Sequence, residues 1–254
     1  DMLNAAEKGA DVTLSGQTQG VEAGQTVVVK FADQTFTAQV QQDGSWRLTV
    51  PASAMETLID GRAQVSVSVT NVNGNSADAS RVVIVDTQPP AITLDNLTDD
   101  NIINAAEAQQ DLMLSGSTTA EAGQTVTVTL NGKSYQTTVQ ADGRWQLNVP
   151  AADVSALSDG NVTVTATVSD VAGNSSSADR VGLVDATVPQ VTINDFVTDT
   201  NTVNQLAHAQ AQMLSGSVTG AAAGDLVIIT INNVDYTTVV DAAGNWSLGL
   251  TASV

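Results

Sequence analysis

The chain of 254 residues contains no cysteine, so no disulfide can brace a small β domain here, whatever the redox state of its compartment. Its one histidine, His208, sits between Ala207 and Ala209, which excludes a zinc site of the His/Cys type and a Ser-His-Asp triad recurring along the chain. His208 is expected to be an exposed loop residue. Aromatic residues make up only 3% of the sequence, too few for the clustered platforms on which sugar-binding clefts stack their ligands. Cations are scarce as well. Eight Lys and Arg stand against 27 Asp and Glu, and a formal charge of −19 repels phosphate backbones and anionic headgroups alike, which excludes nucleic acid as a partner. No apolar run approaches the roughly 18 residues that span a bilayer, and no basic segment followed by an apolar one opens the chain. Membrane insertion of this segment is therefore not expected.

What the chain does have is hydrophobic content of 42%, enough apolar surface for packed cores despite the charge. That content is repeated. Leu-Ser-Gly occurs at 14–16, 114–116 and 214–216, so each copy lies 100 residues after the last. Asn-Ala-Ala-Glu at 4–7 returns at 104–107, and Ala-Gly-Gln-Thr-Val at 23–27 returns at 122–126. Trp46 and Trp145 each close an Asp-Gly-x-Trp string, and Trp246 closes Gly-Asn-Trp. The third copy is looser: it keeps Asn204, Ala223, Gly224 and Val227 but has Ala207 where the others have Glu7 and Glu107. A period this long is a whole domain rather than a solenoid unit.

Within a copy the apolar period is two, as in Val126, Val128 and Leu130 interleaved with Thr127 and Thr129. In the second copy strands are predicted at 92–94, 112–117, 125–130, 134–140, 145–149, 161–169 and 178–184, punctuated by Asn131-Gly132, Asp142-Gly143, Asp159-Gly160 and Gly173-Asn174. Seven short strands in about 100 residues is the signature of a sandwich. The links at 86–90 and 185–189 are short and end in proline, which fixes φ and restricts its neighbour, so they read as stiff connections. The predicted architecture is all-β: tandem immunoglobulin-like seven-stranded β-sandwiches arranged as a rod. The expected boundaries are 1–88 for a repeat lacking its first strand, 89–188 for a complete repeat and 189–254 for a repeat truncated at its C-terminus, so the sequence reads as an excerpt.

The order of these strings, with Glu-Ala-Gly-Gln-Thr-Val, Ala-Gly-Asn and a closing Asp-x-x-x-Pro, resembles the bacterial Ig-like repeats of giant adhesins exported by type 1 secretion. The resemblance covers nearly the whole chain. It implies a secreted, cell-surface virulence filament, monomeric and stiffened by calcium, that carries an adhesive tip toward host-cell glycans.

Acidic residues gather where sandwich loops meet. One pole of the second repeat collects Asp99, Asp100, Asn101, Glu107, Asp153, Asp159 and Asp185, and the pole facing the preceding repeat offers Glu121, Asp142 and Asp170. Carboxylates at such density repel one another unless a cation intervenes, and calcium takes six to eight oxygens in a flexible geometry suited to loops. With the resemblance, this points to Asp86 and Asp185 as junction ligands, aided by Asp170 at the first junction. A second group is expected from Asp99 or Asp100, Glu107 and Asp159, matched in the first repeat by Glu7 and Asp60. The competing reading is that each is a turn former making Asx hydrogen bonds, which is the commoner role for a single Asp. The tryptophans are expected to plug cores rather than stack on sugars, and no catalytic residue is expected. Two other functions fit the composition: a glycan- or receptor-binding module, and an accessory segment of an extracellular enzyme or S-layer protein.

Overall fold

The computed structural model describes residues 1–194 and 211–251. Asn204, Ala207 and His208 lie outside the described residues. The first repeat runs β1 (Met2–Leu3), a one-turn helix α1 (Ala5–Lys8), β2 (Val12–Gln17), β3 (Thr26–Phe31), β4 (Gln34–Gln39), β5 (Ser45–Val50), α2 (Ala52–Met55), β6 (Gly61–Thr70) and β7 (Ser76–Val85). Alternation does what its period dictates. In β3, Val27, Val29 and Phe31 point into the core while Thr26 and Lys30 face solvent. The strands form a five-stranded sheet in the order β1-β7-β6-β3-β4 and a two-stranded sheet β2-β5, which share a core containing Val27, Val29, Trp46, Val50 and Met55.

The second repeat follows the same order: β8 (Ile102–Asn104), a 3₁₀ turn at Glu107–Gln109, β9 (Leu112–Ser117), β10 (Thr125–Leu130), β11 (Lys133–Thr138), β12 (Arg144–Val149), α3 (Ala151–Val154), β13 (Gly160–Ser169) and β14 (Ser175–Asp185). Its sheets are β11-β10-β13-β14-β8 and β12-β9. In the third repeat, β15 (Gln190–Ile193), β16 (Gln212–Thr219) and β19 (Asn245–Leu250) form one sheet, and β17 (Leu226–Ile231) pairs with β18 (Val234–Val239). Leu214, Val218, Ile229, Val240 and Trp246 are its core. By compactness the chain divides into two units, one of Asp1–Ile102, Gln110–Leu157 and Asn161–Leu183, the other of Ile103–Gln109, Ser158–Gly160 and Val184–Val254. This division does not coincide with the sequence repeats.

Two of the repeated strings have one physical cause. Strand register sets Gly16 opposite Trp46, Gly116 opposite Trp145 and Gly216 opposite Trp246. A Cβ at any of these glycines would lie 2.7 Å from the indole, so only glycine fits beneath the ring. The rings are 7%, 1% and 3% exposed. They are core plugs, as expected, and none is presented as a platform for sugar. The hairpin at Asn131-Gly132 takes φ of 49° and 74°, as a type I′ turn requires.

The structure adds elements that the periodicity did not suggest. The short strands β1 and β8 and the one-turn helices carry too few residues to show a period. In the second repeat the opening segment is held by an isolated bridge at Ile92 and by hydrogen bonds rather than a regular strand.

Candidate functional site

The candidate site lies in the first compact unit, where the end of repeat one meets repeat two. Asn4 caps α1 through a capping box: its side chain accepts from Glu7 N at 2.8 Å, and Glu7 Oε2 accepts from Asn4 N at 3.0 Å. The Asn-Ala-Ala-Glu string is therefore a helix start, and its asparagine has a second task. Asn4 Nδ2 donates at 3.0 Å to the carbonyl of Ala172, in the loop between β13 and β14. In the same loop, Asn174 is 5% exposed and accepts at 2.9 Å from Ala5 N. Its Nδ2 donates to the Asp86 carbonyl at 2.9 Å and to Asp170 Oδ2 at 3.0 Å, while its backbone N–H donates to Asp170 Oδ1 at 2.8 Å. Gly173, at φ 93°, keeps the loop tight enough for this approach. Ala-Gly-Asn and Asn-Ala-Ala-Glu are thus complementary halves of one junction.

Of the residues expected at this junction, Asp170 and Asp86 are both brought to Asn174. Asp170 is 8% exposed. Asp86 contributes its carbonyl to Asn174, while its carboxylate accepts from Gln88 N at 3.2 Å. Glu121, on the same pole, accepts from Val171 N at 3.1 Å.

The other expected residues hold turns and links. Asp60 Oδ1 accepts from the Thr87 hydroxyl at 2.8 Å and Thr87 N at 3.0 Å, fastening the first link. In the second unit, Asp159 does the same for the second link, accepting from Ala186 N at 2.8 Å and from the Thr187 hydroxyl. Asp60 and Asp159 are held below the usual carboxylate range, in each case chiefly by the threonine hydroxyl. Asp100 is also lowered, first by the N–H of Ile102 and then by the Thr98 hydroxyl, as an Asx turn requires. Glu107 Oε2 accepts from Asn104 N at 3.0 Å, repeating the role of Glu7. Asp99 and Asp185 are exposed. Asp153 is bonded to Lys133 and Tyr135.

The pole acids therefore do not converge as their density suggested. Among the described residues no three His, Cys, Asp or Glu side chains group as a metal-holding cluster. Asp60, Asp100, Glu107, Asp153 and Asp159 each accept from a donor of their own instead. The residues that sequence reasoning passed over are Asn4 and Asn174. Asn-x-x-Glu is a capping-box string, so half of that signal was visible.

A bacterial Ig-like domain matches residues 90–188. A Ca2+-stabilized adhesin with which an Antarctic bacterium binds ice is 33% identical over 100% of this chain, with a TM-score of 0.49. A structure from a 1.5-MDa bacterial ice-binding adhesin is 33% identical, covering 99% of this chain and 83% of its own, with a TM-score of 0.47. Residues 90–188 belong to the bacterial Ig-like domain family. A tetra-tandem repeat from the extending region of a large adhesion protein is 31% identical over 95% of this chain, with a TM-score of 0.35. This chain spans 63% of the first of these structures and 62% of the third. No curated protein matches it. Among the described residues no helix is long and apolar enough to cross a membrane.

Asp170 is a buried carboxylate whose hydrogen-bond partners are the neutral amide groups of Asn174, and among the described residues it has no salt bridge. Buried charges are ordinarily paired or metal-bound. The groups that share Asn174 with it are oxygens of the kind calcium accepts: the Asp86 backbone carbonyl, which takes the Asn174 amide, and the Asn174 carboxamide oxygen, which accepts from Ala5 N. These oxygens suit a hard cation in kind and not zinc or copper, which favour nitrogen and sulfur, and the side chains at the junction do not by themselves form a metal-holding cluster among the described residues.

Proposed function

We propose that this chain is a structural segment of a large bacterial surface adhesin, three repeats with boundaries at 88/89 and 188/189, in which calcium stiffens the junctions and no catalysis takes place. The observation that carries the reading is the buried Asp170 carboxylate, held among the described residues by Asn174 alone, between the end of one repeat and the loop of the next. The likeness at 33% identity to a Ca2+-stabilized adhesin supports the same metal. Asp86 and Asp170 are the proposed ligands at the first junction, with Asp185 taking the place of Asp86 at the second. Glu7 and Asp60, Asp99 or Asp100, and Glu107 and Asp159 are proposed as supporting oxygen donors, each within its own unit. When bound, the cation supplies charge neutralisation and a shared anchor. The residues themselves orient the loop, through Asn174, and fasten the link, through Asp60 and Asp159.

The proposed setting is extracellular, on a type 1-secreted virulence filament, where calcium is plentiful and sites with dissociation constants on the order of 10⁻⁴ to 10⁻³ M are occupied. The motif order also resembles that of a giant Salmonella adhesin, and attachment to host-cell glycans is proposed for the parent protein rather than for these repeats. Calorimetric titration with calcium tests the reading, comparing the wild type with Asp170→Asn. Asn71 stands at the corresponding position in repeat one, so the substitution keeps a shape that the fold already uses. The expected result is saturable binding that loses a site in the variant. Absence of heat at millimolar calcium, or equal stoichiometry in both proteins, rejects it.

A further inference from the structure

The chain contains two Asn-Gly steps, Asn73-Gly74 and Asn131-Gly132. At such a step the glycine nitrogen can attack the carbonyl carbon of the preceding side chain, because glycine has no side chain to stand in the way. The fold treats the two nitrogens differently. Gly74 N donates to the Asn71 carbonyl at 3.0 Å, and Asn71 Oδ1 accepts from Asn73 N at 3.1 Å and from Asn75 N at 3.0 Å, so that turn is tied. Gly132 N has no hydrogen-bond acceptor among the described residues. Asn131 and Gly132 are both exposed, and beyond its chain neighbours no atom lies within 4 Å of where a Cβ on Gly132 would stand.

The free turn also sits where the sheet can open. It joins β10 to β11, and β11 is the outermost strand of its sheet, paired with β10 alone. Lys133, Ser134, Gln136 and Thr138 of β11 are exposed, so little buried apolar surface holds the strand in place. Such an edge hairpin opens locally while the core stays folded. What holds its tip is Asp153, which accepts from Lys133 Nζ and, at 2.6 Å, from Tyr135 Oη. Neither neighbouring repeat has glycine after asparagine at this turn: the matching residues are Ala32-Asp33 and Asn232-Asn233.

We propose that Asn131 is a self-modification site that deamidates in the folded chain, with the Asp153 clasp setting how often the turn opens to allow it. In the open turn Gly132 N gives its proton to hydroxide and bonds to Asn131 Cγ, and the side-chain amide nitrogen leaves as ammonia. Water then opens the cyclic imide. Attack at Cγ leaves aspartate, and attack at the backbone carbonyl leaves isoaspartate, whose chain runs on through the side-chain carbon. Either product adds a negative charge close to Lys133, the partner of Asp153. Isoaspartate also lengthens the backbone by a methylene between Leu130 and Lys133, whose pairing closes the hairpin. Ammonia is lost to solvent, so the edge strand is unfastened in one direction only.

The test is incubation of the full 254-residue chain in heavy-oxygen water at neutral and mildly alkaline pH, followed by cleavage after Lys and Arg and mass spectrometry. Asn73 and Asn131 fall in separate fragments, 63–81 and 82–133. The expected result is uptake of label into 82–133, faster at the higher pH and divided between an aspartate and an isoaspartate product. Fragment 63–81 should react at least about fivefold more slowly, the factor that one intramolecular hydrogen bond is worth, and the two rates should converge in denaturant. Asn131→Ala, which gives the turn the residue that repeat one carries at Ala32, should remove the label from 82–133. Asp153→Ala should speed labelling by about fivefold or more. No label at alkaline pH, label that persists in Asn131→Ala, equal rates for the two fragments in the folded chain, a difference that survives denaturant, or a rate indifferent to Asp153→Ala overturns the proposal.

Discussion

Asn174→Ala removes three side-chain hydrogen bonds at once. It takes a donor from Asp170 and from the Asp86 carbonyl, and the acceptor from Ala5 N. The magnitude follows from what is left behind. Asp170, 8% exposed, keeps only the Asn174 backbone N–H at 2.8 Å, and one carboxylate oxygen loses its partner. A buried polar group left unsatisfied costs about 1 to 3 kcal/mol, more when charged. Water can reach Ala5, which is exposed, so most of the loss falls on Asp170 and on the Asp86 carbonyl. The expected destabilisation of the first unit is about 2 to 4 kcal/mol. Urea unfolding, together with hydrogen exchange at the Ala5 amide, reads both the energy and its location. Asn75→Ala is the matched control, because Asn75 is the counterpart in repeat one and is exposed, where substitutions cost within about 0.5 kcal/mol. If the two variants shift the midpoint equally, or if Ala5 exchange is unchanged in Asn174→Ala, the junction network does not stabilise the chain as argued.

Trp145→Ala should cost about 3 to 5 kcal/mol by leaving a large cavity in a core braced by no disulfide, and a near-neutral urea midpoint would contradict its role as a plug. Because hydrogen bonds depress Asp159 in the folded chain, its contribution to stability is fully present above the unfolded value of about 3.9 and is lost as pH falls through the folded one. Asp159→Asn should flatten that acid limb in a pH series of urea midpoints, and an unaltered limb would show that the link bonds carry no stability. Millimolar calcium should raise the melting temperature relative to chelator through mass action, and coincident melting curves would count against any calcium bound by the folded state.

Much of the fold was legible because its signals are local. Val27 and Val29, or Val126 and Val128, alternate with polar residues along single strands, and the turn at Asn131-Gly132 needs nothing beyond its own two residues. The Trp and Gly strings were legible as repeats, but their cause was not, since the glycine and the indole meet only once β9 and β12 are in register. The candidate site was legible in part. Asp86 and Asp170 are legible as junction residues from the ends of β7 and β13, but Asn174 reaches Asp86 across 88 positions, and no period encodes such a contact. The density of acids misled for the same reason: Asp100 and Asp153 lie near other carboxylates in sequence, yet each is turned toward its own donors, Ile102 N and Tyr135 Oη.

The most direct test of the central claim, that Asp86, Asp170 and Asn174 with a bound cation stiffen the junction, is small-angle X-ray scattering of the chain with millimolar calcium and with chelator, repeated on Asp170→Asn. The account predicts that chelation shortens the maximum dimension and raises the flexibility of the wild type, and that the variant shows a smaller response because one junction no longer answers to calcium. Profiles unchanged by chelator in both proteins would contradict it, leaving the proline links and the Asn4 and Asn174 hydrogen bonds to hold the repeats without metal.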